Sequence, residues 1–323
     1  MALSRPMVVL VLLASLVLAV LQGMREDAGF PGTGRPAPDG QLAGSAPAAR
    51  GAVAPASAPV AERAAAWQPA ALALDAPASR RRAGLSEGFE QADDLYAYLQ
   101  ALLPAAQAGD ADAAWFASRV YDYCAAYAAD PGAYARDSGA LGRMQLAASA
   151  AMTGARDRVA HRCRQFVPGD GLGTGLVILQ RLEAAEAGSL AAEAGLLAMG
   201  EPLEEDGDYR RGLVDRVQAS ADAEAFFALA PAMGLAASGD PAHAGQVAGT
   251  VQAELAWHLA ACELGMDCGA QGALMTAWCA NGGVCASSPH QDFPGFVHAA
   301  RKPRGGKPIN DLIDSLLREG VPR

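Results

Sequence analysis

The six cysteines of this chain, Cys124, Cys163, Cys262, Cys268, Cys279 and Cys285, constrain its fold more than any other feature. They are even in number, and all lie downstream of an apolar N-terminal run. That is the arrangement of a domain exported to an oxidising compartment and stapled by disulfides. The last four occur in CELGMDCGAQGALMTAWCANGGVC, two C-x5-C pairs separated by ten residues. Structural zinc favours C-x2-4-C knuckles, so both spacing and compartment weigh against a metal. Cys262 and Cys279 each fall near the end of an expected helix, and Gly265 and Gly282-Gly283 supply the turns that follow. The local pairs Cys262–Cys268 and Cys279–Cys285 are therefore the simplest, and they leave Cys124 with Cys163. A crossed arrangement, Cys262–Cys279 with Cys268–Cys285, is the alternative.

The apolar run places the chain at a membrane. From Pro6 to Met24 no residue is charged, and Arg5 precedes the run. About nineteen residues at 1.5 Å per residue span about 28 Å, close to the hydrocarbon core of a bilayer. Met7, Val8, Leu10, Leu12, Leu13, Leu16, Leu18 and Leu21 are its expected membrane-facing residues. Residues 1–27 are read as a retained anchor in a bacterial inner membrane, with the N-terminus cytoplasmic and the domain in the periplasm. The alternative is secretion to the periplasm after cleavage near Val17-Leu18-Ala19. No cysteine stands directly after the run, which argues against a lipoprotein anchor.

Residues 28–84 are rich in Pro, Ala, Gly and Ser and nearly free of large side chains. Such a stretch cannot bury enough apolar surface to offset about 1–2 kcal/mol of backbone ordering per residue, so a disordered linker is expected. Arg80-Arg81-Arg82 is read as a solvated charge cluster within it.

Beyond residue 85 the pattern is helical. Phe89, Leu95, Tyr98, Leu99 and Leu102 fall at helical spacing, with Ser86 as the expected N-cap and Pro104 near the stop. Further helices are expected at about 139–166, 174–199, 209–219, 221–236, 241–264, 270–280 and 309–319. No alternating strand pattern is present. Composition agrees: about a quarter of the chain is alanine and only 6% is aromatic, which suits closely packed helices and not a sandwich or barrel. The expected fold is all-α, an α-hairpin array forming a short solenoid-like domain over residues 85–323. A net charge of −10 excludes a general nucleic-acid binder.

The spacing Ala106-x-x-Gly109-x-x-x-Ala113-x-x-x-Ala117-x-x-x-Tyr121 resembles the tetratricopeptide-like repeats, particularly the Sel-like subfamily. A second partial copy runs Ala185-x-x-Gly188-x-x-x-Ala192-x-x-x-Leu196, with Gly200 in the place of the tyrosine. Weaker copies lie at Ala219, Ala223 and Phe227, and at Ala236 and Gly239. Small residues let paired helices approach, and the glycine permits the turn into the second helix. The resemblance covers residues 105–262 at most. It implies stacked hairpins and a protein-interaction scaffold.

No catalytic constellation stands out. The five histidines, His161, His243, His258, His290 and His298, form no metal-binding pair, and His258 reads as a partly buried helix residue. GDGLGTG at 169–175 has no strand before it and no Lys-Ser/Thr after it, so it is read as a loop leading into a helix capped by Thr174. Glu201, Glu204, Glu205, Asp206 and Asp208 lack the EF-hand order and are read as a solvated loop. Arg301, Lys302, Arg304 and Lys307 form a basic surface loop, while Phe293 and Phe296 are expected to cover a core edge. No cofactor or metal is expected. The function read from these features is a scaffold in the bacterial envelope that binds an unidentified protein partner. The alternative is a cell-wall polymer hydrolase with an acidic cleft drawn from Glu87, Glu90, Asp93 or Glu254.

Overall fold

The computed structural model describes residues 78–144, 146–286, 288, 290–300 and 308–319, all within the compact unit Ser57–Arg323. The expected membrane residues from Met7 to Leu21, most of the linker, and the basic run Arg301 to Lys307 lie outside the described residues. No helix among the described residues is long and apolar enough to cross a membrane.

Among the described residues there are thirteen α-helices and no strand. They are α1 (Ala78–Gln91), α2 (Leu95–Gln107), α3 (Ala111–Ala129), α4 (Pro131–Arg143), α5 (Ser149–Arg162), α6 (Thr174–Glu186) and α7 (Leu190–Met199). There follow α8 (Gly207–Ser220), α9 (Ala223–Leu229), α10 (Val251–Glu263), α11 (Ala273–Gly282), α12 (Phe293–Ala300) and α13 (Ile309–Glu319).

Short polar side chains start many of these helices. Asp94, Asp110, Asp130, Ser189, Asp206, Asp222 and Thr250 each accept a hydrogen bond from a backbone N–H of the turn they open. Each such cap contributes about 1 kcal/mol.

Three of the caps belong to a recurring turn. Gly109 (φ +89°), Gly188 (φ +99°) and Ala221 (φ +49°) take left-handed backbone immediately before Asp110, Ser189 and Asp222. Three residues after each cap comes a fully buried alanine, Ala113, Ala192 or Ala225. Four residues further on, Ala117, Leu196 and Leu229 are also buried. The third copy therefore lies two residues beyond its expected position at Ala219, Ala223 and Phe227. An alanine holds the turn that glycine holds elsewhere, and that hides it from a search for Gly. The weak copy at Ala236 and Gly239 falls in a loop of two short 3-10 turns, Leu235–Ala237 and Pro241–His243, and forms no α-hairpin.

Packing runs from α2 onto α3, α3 onto α6, α6 onto α7, α7 onto α9, α9 onto α10 and α10 onto α13. The wide gap between the first and second turns is filled by α4 and α5, which pack on each other; α5 then packs against α11. Among the described residues the largest fully buried side chains are aromatic: Trp115, Trp257, Tyr98, Phe89, Phe116, Phe166, Phe226 and Phe293 are each under 2% exposed.

Two cysteine pairs are local and the third joins α3 to the end of α5. Cys124–Cys163, Cys262–Cys268 and Cys279–Cys285 have Cα separations of 5.5, 5.7 and 4.4 Å, each suited to a disulfide. Cys124 lies inside α3, which continues to Ala129, and not at a helix end.

Several boundaries differ from the sequence reading, each for a local reason. Helix α1 begins at Ala78, inside the expected linker, so Ser86 is interior to a helix and caps nothing. Arg81 and Arg82 are not solvated linker charges. Arg81 approaches Asp110 at 3.4 Å and Asp112 at 3.3 Å, and Arg82 bridges Asp112 at 2.9 Å and Asp222 at 2.6 Å. Pro104 lies inside α2, where its missing N–H forgoes the bond to the Gln100 carbonyl, yet the helix runs on to Gln107. The expected 174–199 helix breaks at Gly188, and 139–166 is replaced by α4 and α5. The expected 241–264 helix begins only at Val251, because Gly245 and Gly249 before it both have positive φ. Gly173, not Thr174, occupies the cap position of α6, and it makes no side-chain cap bond.

Candidate functional site

A cavity of about 400 Å3 forms where α3, α6, α7, α9, α10 and α11 converge. From α3 it receives Trp115, Arg119 and Asp122, spaced four and three residues apart and so on one helix face. Glu254 and His258 come from α10 at a spacing of four, Phe227 from α9, Trp278 from α11 and Arg181 from α6. Gly195 of α7 keeps the wall thin: a Cβ there would stand 3.3 Å from Trp115 Cζ3 and 3.4 Å from Arg181 Cδ.

The charged groups of one wall are tied into a buried network. Arg119 Nη1 donates to both carboxylate oxygens of Glu224 at 2.9 Å, and its guanidinium stacks 4.3 Å from the Phe89 ring centroid and 4.9 Å from that of Phe227. Glu224 also accepts from Trp115 Nε1 at 3.0 Å and from Ser86 Oγ at 3.3 Å. Glu90 Oε1 stands 4.0 Å from Arg119 Nη2, while its other oxygen accepts from the backbone N–H of Ala273 at 2.8 Å. Burial pushes the Glu90 carboxyl above its usual range, against the pull of Arg119. Arg181 donates to Asp122 at 2.9 Å and lies over the Trp115 ring. Burial lowers its pKa, against Asp122.

The opposite wall is organised differently. Glu254 has no ion pair or hydrogen bond among the described residues, and burial raises its pKa. His258 is 3% exposed, and its ring packs edge-on to Trp278 and Phe293 and tilted on Phe227. Among the described residues its Nδ1 has no hydrogen-bond partner. Burial lowers its pKa to about 4, so the imidazole is neutral at neutral pH.

Of the acids named as hydrolase candidates, only Glu254 reaches this cavity. Glu90 and Asp93 line a separate polar hollow of about 660 Å3, together with Asp157, His161 and Asp267. Glu87 is exposed on α1 and accepts from Gln91. Among the histidines, His258 is fully enclosed in a helix, and His243 Nδ1 lies 3.1 Å from Gln246 Oε1. Among the described residues no group of three His, Cys, Asp or Glu could hold a metal ion. In the acidic loop Asp206 caps α8, and Glu201, Glu204, Glu205 and Asp208 are exposed. Phe293 is buried and Phe296 partly so, both against the core.

Arg119 and Arg181 of the cavity, and Glu224 that holds Arg119, are charged residues that sequence reasoning missed. The available signal was a charge recurring on an otherwise apolar helix face, Arg119 four residues after Trp115. Its partner Glu224 lies on α9, and no local pattern connects the two. No family model, curated protein or solved structure matches this chain.

Proposed function

We propose that the helical unit is a tetratricopeptide-like, Sel-like hairpin array that acts as a protein-interaction scaffold in the bacterial envelope. The observation that carries this reading is the cavity between successive hairpins, where Phe227 and Trp278 are left only half-buried beside an unpartnered carboxylate. A repeat helix pair buries one face against its neighbours and leaves the inner face of the stack available. The recurring sequence of left-handed turn, polar cap and buried small residue supports the repeat assignment. Export is supported by the apolar run Pro6 to Met24 and by three cysteine pairs at disulfide distance, with residues 1–27 as an inner-membrane anchor or a cleaved signal. Cross-linking in intact cells, followed by purification of the full chain, is expected to recover one specific envelope protein, and the F227A/W278A variant is expected to lose it. Recovery of no specific protein, or equal recovery by the variant, would overturn the reading.

Hydrolysis of a wall polymer is the second reading. It is favoured by Glu90, whose raised pKa suits a proton donor, lining one polar hollow with Asp93. Release of soluble fragments from purified cell wall, abolished by E90Q, is its test.

A further inference from the structure

The cations that line the cavity have partners within the protein, whereas one anion has none among the described residues. Arg119 is held by Glu224 and Glu90, and Arg181 by Asp122. Glu254 faces the same space with neither an ion pair nor a hydrogen bond among the described residues. Its carboxylate rests against bare backbone, because any side chain on Gly234 would collide with Glu254 Oε2. One turn along α10 is His258, neutral, buried and without a partner at Nδ1. A neutral imidazole keeps one nitrogen as a hydrogen-bond acceptor. Around these two residues stand Phe227 and Trp278, with Trp115 across the space.

An anionic ligand would meet the uncompensated Glu254, and a neutral one would leave it unpaired. A metal ion would find no set of three ligands among the described residues. A cation with an alkyl stem satisfies every element: the carboxylate as counter-ion, the ring faces for cation-π contact, and apolar walls for the stem. The volume falls within the range of about 300–1,000 Å3 typical of pockets for small groups.

We propose that this cavity receives an alkylammonium group, the side chain of a lysine on the protein partner, with Glu254 as its counter-ion and Phe227, Trp278 and His258 as its walls. The identity of the carrier rests on the scaffold reading; the preference for ammonium does not.

The full chain is titrated with Nα-acetyl-lysine methylamide, n-butylammonium, cadaverine, n-butanol and butyrate, followed by calorimetry and tryptophan fluorescence. The lysine derivative and butylammonium are expected to saturate, and butanol and butyrate to bind at least about tenfold more weakly. E254Q is expected to weaken ammonium binding by about tenfold while leaving the circular dichroism spectrum unchanged. G234A, which displaces the carboxylate by a different route, is expected to act in the same direction. Butanol binding as well as butylammonium, full affinity in E254Q, or no saturation by either amine would each overturn the proposal. Cadaverine binding well above the lysine derivative would identify a free diamine and overturn the lysine assignment. Amine binding that depends on Glu254, with no partner recovered from cross-linked cells, removes the scaffold reading and leaves the cavity chemistry standing. Partner capture without amine binding removes this inference alone.

Discussion

On the α3 and α9 side of the cavity, Arg119 and Glu224 neutralise each other, and Trp115, Phe89 and Phe227 enclose the pair. On the α10 and α11 side, Glu254 has no counter-ion among the described residues, and His258 is kept neutral by burial among rings. Both walls are helical and built beside alanine. Their covalent support also differs. Helix α3 is tied to the end of α5 by Cys124–Cys163, across a separation of 39 residues, whereas Cys262 and Cys279 close loops of only 6. The difference separates a wall that holds the fold together from a wall that remains open to a visitor. A buried ion pair is stabilising only relative to its own half-removal, because either member alone is an uncompensated charge. An unpartnered carboxylate carries a desolvation cost that the fold does not recover and that an incoming cation can.

Breaking the first wall gives the largest effect. Arg119→Ala leaves Glu224 buried without its cation, and urea denaturation is expected to show a loss of about 3–5 kcal/mol. A loss below about 1 kcal/mol would mean that Glu224 finds water or another partner, and the contrast between the walls would disappear. The paired change E224Q with R119M, which removes both charges, is expected to recover most of that loss.

The covalent contrast comes next. Loop closure assigns about 4 kcal/mol to Cys124–Cys163 and about 2–2.5 kcal/mol to each short loop. The C124S/C163S variant is therefore expected to unfold at lower urea than C262S/C268S or C279S/C285S. Equal midpoints would show that the long bond has no special standing.

The His258 side is tested by pH. Its pKa is about 4 in the folded protein, against 6.5 for the free side chain. Between those values the unfolded chain binds a proton that the folded one does not, so stability falls as pH drops from 6.5 to 4. The loss attributable to His258 is about 3 kcal/mol by pH 4. H258F, which suits the surrounding Phe227, Trp278 and Phe293, is expected to flatten that part of the stability profile. A profile identical to the wild type would place the pH dependence elsewhere.

The smallest effect belongs to Glu254. Its carboxyl titrates above its unfolded value, so the folded state gains relative stability as pH falls through that range and loses it as the group ionises. E254Q is expected to raise stability at neutral pH by about 0.5 kcal/mol or less, since the group is only half-buried. Destabilisation by E254Q would show that Glu254 has a structural partner, and the second wall would then resemble the first.

Local features were legible from the residues. Helix α13 occupies the expected span Ile309–Glu319, because its apolar positions recur at helical period and place Ile313 and Leu316 in the core. The turn at Gly109 was legible because glycine marks a left-handed position, whereas the turn at Gly188 was marked only by the repeat spacing and lay inside an expected continuous helix. Ala221 was not, since nothing in alanine announces positive φ; the commitment of Asp222 as the next cap fixes it. Arg80 to Arg82 looked like linker because the stretch before them is Pro- and Ala-rich. The acidic partners of Arg81 and Arg82, namely Asp110, Asp112 and Asp222, are supplied by turns far along the chain.

What the sequence alone determined is set by short-range physics: a chain of helices, and the cysteine pairs that two short loops make geometrically simplest. Such features depend on neighbours within a few residues, where the chain itself guarantees proximity. The cavity was decided only by tertiary packing. Arg119 meets Glu224 across 105 residues, and among the described residues no cation is packed against Glu254. Whether a charge is neutralised depends on which helix faces it, and α3, α9, α10 and α11 acquire their neighbours only when the hairpins stack.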